Sequence, residues 1–184
     1  MKLLVIILLL ISTSVHSDQD IIKNKKVIKE TINKTMKSLK NSLEIALQDG
    51  DIVGAVKMCS IQAQDLTSDF NTQNTIIKRI SLKYRNPKNK PTKFEAEILE
   101  SFEKKLLEGV SLENLDFTQF SNSYGKKTLV YIKAIPTKGV CLNCHGKNID
   151  KRVLKEIDFL YPQDKAKGFK MGDIRGAFSV RHTF

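Results

Sequence analysis

The chain has 184 residues, 41% of them hydrophobic, with 31 Lys+Arg against 20 Asp+Glu and a formal net charge of +11. That length is one domain with an ample core. The basic excess reads as a solvated, Lys-rich surface that can dock on an acidic partner protein or an anionic membrane. Basic and aromatic residues are not interleaved as base stacking requires, so no nucleic-acid partner is expected.

The first 17 residues read as an export signal. Lys2 precedes an unbroken apolar run, Leu3 to Ile11, which is too short to span a bilayer comfortably. Val15 and Ser17 then fit a signal-peptidase site before Asp18. No cysteine follows that would take a lipid anchor, and an uncleaved N-terminal anchor is the competing reading. Either way residues 18–184 are expected outside the cytoplasm, in the periplasm, with no stable transmembrane segment.

Asp18 to about Gln48 carries Ile21, Ile28, Ile32, Leu39 and Leu43 at helical spacing. Asp49-Gly50-Asp51 stops that helix and caps the next. The second helix is predicted from Ile52 to Phe70, with Ile52, Ala55, Val56, Cys59, Ala63 and Leu66 on one apolar face. Ile76 to Leu82 reads as a strand, and Tyr84 to Pro91 as an ordered Asn-Pro loop. A third helix is predicted over Lys93 to Glu108. Asp116 to Ser123 and Lys127 to Ile135 are two strands with a hairpin signal at Tyr124-Gly125-Lys126. Asp150 to Leu160 is a short helix, Asp164 to Asp173 a Gly-containing loop, and Ile174 to Phe184 a last strand. Helices first and antiparallel strands later give an α+β fold.

Between the second strand of the hairpin and the short helix stands Cys141-Leu142-Asn143-Cys144-His145. This is C-x-x-C-H, the attachment signature of a c-type haem. Two thiols three positions apart can add to the two vinyl groups of a porphyrin, and the adjacent imidazole then supplies an axial ligand. Three readings compete with it. A redox dithiol wants a thioredoxin-like βαβ context. A zinc site would need Cys141, Cys144, His145 and the distant Cys59 as four ligands. The third is a pair of structural cysteines beside a chance histidine. Covalent haem attachment in bacteria occurs outside the cytoplasm, so the export signal and the motif support each other.

With Cys141 and Cys144 committed to one covalent haem c, Cys59 is left over from the three cysteines. It can be a buried small hydrophobe, an intermolecular disulfide partner or a ligand to the iron. The other candidates for the sixth position are His182, Met36, Met58 and Met171. The residues alone leave Cys59 and His182 level. Arg79, Arg85 and Arg175 are candidates to pair with the haem propionates, or else cap loops and pair with carboxylates.

Three blocks together resemble one family. They are Arg79-Ile80-Ser81 leading to Arg85-Asn86-Pro87 with Asn89 and Pro91; Cys141 through Gly146; and Tyr161-Pro162, Asp164, Ala166, Gly168 and Gly172 through Val180. The chain is thereby similar to the PAS-like mono-haem c-type cytochrome domains first described in cyanobacteria, over about Leu43 to Phe184. The resemblance implies an antiparallel sheet flanked by helices, with the haem against the sheet. It also implies an axial pair of the motif histidine and a cysteine from an early helix. The matching residues are His145 and Cys59, the latter in Gly54-Ala55-Val56-Lys57-Met58-Cys59.

A thiolate ligand favours ferric iron and a low potential. The expected function is therefore a redox or small-gas sensor, with CO or NO as the type of ligand and an unidentified redox or signalling protein as partner. The alternative is a low-potential periplasmic electron-transfer cytochrome. An enzyme is not expected; a small peroxidase ranks last because no free distal histidine pair is present.

Overall fold

The structure, a computed structural model, describes residues 19–48 and 51–184. The export segment expected at 1–17 and its cleavage site before Asp18 lie outside those residues. The first helix, α1 (Lys2–Asp49), is described from Gln19 to Gln48. It presents Ile28, Ile32, Thr35 and Leu39 to the core, one or two helical turns apart. Its outer side carries exposed Lys23, Lys26, Lys34 and Lys37.

Asp51 caps α2 (Ile52–Gln62) by accepting from the Gly54 amide at 3.0 Å. The helix expected to run on to Phe70 breaks instead at Ala63–Gln64, and a single turn, α3 (Asp65–Ser68), follows. A distant side chain bonds at the break. The Ala63 carbonyl accepts from Arg79 Nη2 at 2.9 Å and from the Thr67 hydroxyl at 2.9 Å. The Thr67 amide bonds to Gln64 O.

Four strands form one antiparallel sheet in the order β1-β4-β3-β2: β1 (Thr75–Ile80), β2 (Asp116–Ser123), β3 (Lys126–Pro136) and β4 (Ile174–Thr183). The β2–β3 hairpin turns through Tyr124 at φ 50° and Gly125 at φ 77°, the left-handed pair that a tight two-residue turn requires. One sheet face packs Ile77, Leu129, Tyr131, Phe178 and Val180 under α1. The other packs Ile80, Val130, Ile132, Ala134 and Ala177 against Leu99 and Phe102 of α4 (Lys93–Leu107). A Thr92–Glu95 capping box starts α4. Glu95 also accepts from Lys78 Nζ at 2.8 Å and from the Ser179 hydroxyl at 2.7 Å, which ties the helix to the sheet.

The period of two slips once in β4. Ile174 and Ala177 both join the α4-side core although they are three positions apart, and the register with β3 shifts at Ile135/Pro136. The slip turns Arg175 away from α4. A third, smaller core lies between α2 and α6 (Lys151–Leu160). It holds Val56, Val153 and Ile157 with Cys144 and Tyr161 against them. The α+β architecture agrees with the sequence, and the site expected from it falls at this end of the sheet.

Candidate functional site

At the end of β3 the chain is pinned to the start of β4: the Thr137 amide donates to Asp173 O at 2.8 Å, and the Gly172 amide to Thr137 O at 3.0 Å. A 3₁₀ turn over Gly139–Cys141 then runs into the single turn α5 (Leu142–His145). Cys141 and Cys144 stand three residues apart on this helical segment, which puts both thiols on one side. All three cysteines are free thiols. Gly146 ends the turn where no other residue fits, since a Cβ there would lie 2.5 Å from Leu142 O.

His145 is held at one nitrogen. Nδ1 lies 2.8 Å from Ala166 O. A carbonyl only accepts, so Nδ1 carries the proton and Nε2 carries the lone pair. Nε2 makes no hydrogen bond among the described residues. Burial, with the positive charges of Arg175 and Arg85, pushes the imidazole pKa well below its ordinary value. At neutral pH the ring is therefore neutral, the form that ligates a metal. The backbone on either side is latched too: Phe169 N donates to His145 O and Gly168 N to Gly146 O, both at 2.9 Å. The Phe169 ring meets the imidazole edge to face, 6.3 Å between centroids.

Cys59 lies half-buried on α2. Burial pushes its thiol pKa up, and the cations Arg79 and Arg85 oppose that. Cys59 is in turn among the groups that raise the Cys144 thiol, after burial and against Arg85. The helix cysteine and the motif thus share one electrostatic neighbourhood.

The three arginines expected at the site all gather there, in different states. Arg85 is engaged through two of its nitrogens: Nε and Nη2 each lie 3.2 Å from the Asp164 carboxylate, and Nη2 also donates to Cys144 O at 2.6 Å and Ala166 O at 3.3 Å. Arg79 bonds only to Ala63 O, and its buried Nε has no partner. Arg175 reaches the Ser81 hydroxyl at 3.3 Å and Lys83 O at 3.4 Å and lies over the Phe169 ring, 5.3 Å from its centroid. Burial, then repulsion from Arg85 and Arg79, pushes Arg175 down to about 10. Asp164 is the one carboxylate that forms an ion pair with any of them, among the described residues. Two cations are left over, and the buried Thr137 hydroxyl is also without a partner. Two guanidiniums without a carboxylate, with Arg79 Nε unpartnered, fit a ligand that carries two carboxylates.

Among the other candidates for the sixth position, His182 lies at the far end of β4. His182 uses both ring nitrogens, Nδ1 with the Thr75 hydroxyl at 2.8 Å and Nε2 with Asn24 Oδ1 at 3.1 Å. It is seven strand positions from Arg175, about 23 Å at the usual rise per residue. Met171 is 74% exposed and Met36 is 39% exposed. No group of three or more His, Cys, Asp or Glu is arranged to hold a metal ion among the described residues, so the four-ligand zinc arrangement is not formed. Ala166 and Phe169 contact His145, Asp164 accepts from the Ala166 amide, and single-residue chemistry did not single them out. The sequence signal was the spacing of the block that begins at Tyr161.

No helix among the described residues is long and apolar enough to cross a membrane. A search of curated proteins gives no match. Among solved structures the chain is similar to the crystal structure of the cyanobacterial heme-protein Tll0287. The match has 22% identity and a TM-score of 0.64, and it covers 86% of this chain and 93% of that one. At that identity the likeness speaks to the fold, and it agrees with the α+β arrangement. The Tll0287-like family profile matches residues 14–182, nearly the whole length, and the chain accordingly belongs to the Tll0287-like family.

Proposed function

We propose that this chain is an exported, periplasmic protein that binds one haem covalently through Cys141 and Cys144, with His145 and Cys59 as axial ligands. The observation that carries the reading is the state of His145 beside two free thiols. Its Nδ1–H is held by Ala166 O, which leaves the Nε2 lone pair for a metal. A solved structure of the same fold, described as a heme-protein, supports it.

Attachment is an addition. Each S–H bond breaks, the sulfur bonds one vinyl carbon and the hydrogen goes to the other, so reduced thiols suffice and no oxidant is consumed. When bound, the haem supplies a one-electron iron centre, with a potential that thiolate ligation holds low. Arg79 and Arg175, the two guanidiniums without a carboxylate, would hold the two propionates.

Cys59 would hold the iron as the thiolate, and because burial raises its thiol pKa it is the ligand that would be given up if the iron were reduced. That behaviour suits a sensor of redox state or of a small gas such as CO or NO, which acts on a separate protein and has no catalytic role. The second reading is low-potential electron transfer. The exposed lysines of α1 favour it, because they offer a docking face for an acidic redox partner.

The test is a set of spectra on purified protein. Haem that stays with the denatured chain, at the mass of one haem, is expected. A low-spin ferric EPR signal that is lost in Cys59→Ala and kept in His182→Ala is expected for the axial pair. A ferrous form that binds CO favours sensing. Reversible six-coordinate cycling without CO binding favours electron transfer. Haem that extracts freely from the denatured wild type sinks the covalent reading.

A further inference from the structure

The Ala166 peptide is gripped at both ends. Its N–H donates to Asp164 Oδ1 at 2.8 Å. Its carbonyl accepts from His145 Nδ1 at 2.8 Å and from Arg85 Nη2 at 3.3 Å. Arg85 reaches it from the loop after β1, and the same guanidinium forks onto Asp164 and bonds Cys144 O in the motif. One side chain therefore ties three separate loops around one carbonyl.

The ion pair is buried, with side-chain exposures of 10% for Arg85 and 2% for Asp164. A pair so deep gains little net stability once its desolvation is counted. What it secures is geometry. Only a planar fork can bond a carboxylate with two donors and still reach two carbonyls; an ammonium is a single point charge. We propose that Arg85, acting through Asp164 and the Ala166 carbonyl, is a positioning residue for His145: it fixes the imidazole plane and keeps the proton on Nδ1. This rests on the reading of His145 as a ligand. It gives Arg85 a different task from Arg79 and Arg175, because its Nε and Nη2 are already bonded to protein acceptors, Asp164 among them.

The test uses the full chain as wild type, Arg85→Met, Arg85→Lys and Asp164→Asn. Haem content is read from the denatured protein, and the His145 Nδ1 proton is followed by NMR in the ferric state. Haem content is expected to stay at the wild-type level. Exchange of that proton with solvent is expected to quicken about tenfold or more, the lower end for loss of an outer-shell partner. Arg85→Lys is expected not to restore the slow exchange. Wild-type exchange in Arg85→Lys and Asp164→Asn overturns the proposal, and these two decide it even where Arg85→Met fails to accumulate. Failure of the parent reading shows separately, as wild type without covalent haem. The positioning role is then read in the haem-free chain from the nitrogen shifts of the His145 ring. A single Nδ1–H tautomer in wild type and a mixture in the variants supports it, and an unchanged tautomer overturns it.

Discussion

Two histidines lie near opposite ends of β4, and burial depresses the pKa of both. His182 is finished by the protein. Thr75 and Asn24 take its two nitrogens, Phe184 stacks on its ring at 5.7 Å, and the result fastens α1 to the sheet. His145 is half finished, since Ala166 takes Nδ1 and Nε2 is left. The difference teaches that a ligand is recognised by what its surroundings omit. The charges repeat the lesson: Glu95, in the sheet–helix core, has every oxygen bonded, whereas around His145 two guanidiniums stand without a carboxylate.

The contrast breaks first at the motif. Cys141→Ser with Cys144→Ser is expected to abolish covalent haem completely, as seen by extraction from denatured protein. Next, Cys59→Ala is expected to remove the low-spin ferric signal and raise the midpoint potential, on the order of 100 mV or more given the span that axial ligands command. His182→Ala is expected to leave both unchanged, and a potential shift there would erase the distinction between the two ends. Third comes Glu95→Ala, which strips a buried carboxylate from Lys78, Thr92 and Ser179. It is expected to cost about 2–4 kcal/mol in denaturant unfolding while the haem spectrum stays the same.

The smallest effect is at His182. His182→Ala is expected to cost about 1 kcal/mol, one hydrogen-bonded ring, and to change the response to pH. Its folded pKa lies below the unfolded value of about 6.5. The neutral ring's stability is therefore complete above pH 6.5 and is lost as pH falls through the folded pKa. Unfolding curves of wild type between pH 7 and 5 are expected to fall more steeply than those of the variant. Parallel curves would place the titration elsewhere.

Elements whose boundaries are set by neighbouring residues were legible in the sequence. The Asp51 cap, the start of α4 behind Thr92, the Tyr124-Gly125 turn and the α6 start behind Asp150 all fall within a residue or so of expectation. The break at Ala63 was not legible, and one of the two donors on its carbonyl, Arg79, comes from 16 residues along the chain. The motif and its haem reading were plain from five residues. The state of each arginine was not. Arg79, Arg85 and Arg175 are alike as letters, and only the fold decides that Asp164 meets one of them and leaves two without a carboxylate.

Gly176 lies on β4 against the end of β1, beside both of those arginines in sequence or register. A Cβ there would run into the Ile80 carbonyl of β1 and press on Ser81 Cβ at 3.2 Å, and backbone cannot give way as a flexible side chain can. Arg79 precedes Ile80 and Arg175 precedes Gly176, so the missing side chain lets the backbone beside the two arginines come together. In a saturation screen, position 176 is then an all-or-none site that one amino acid of the twenty satisfies. Positions 79 and 175 would instead yield graded losses, because a shortened or neutral side chain only weakens the grip.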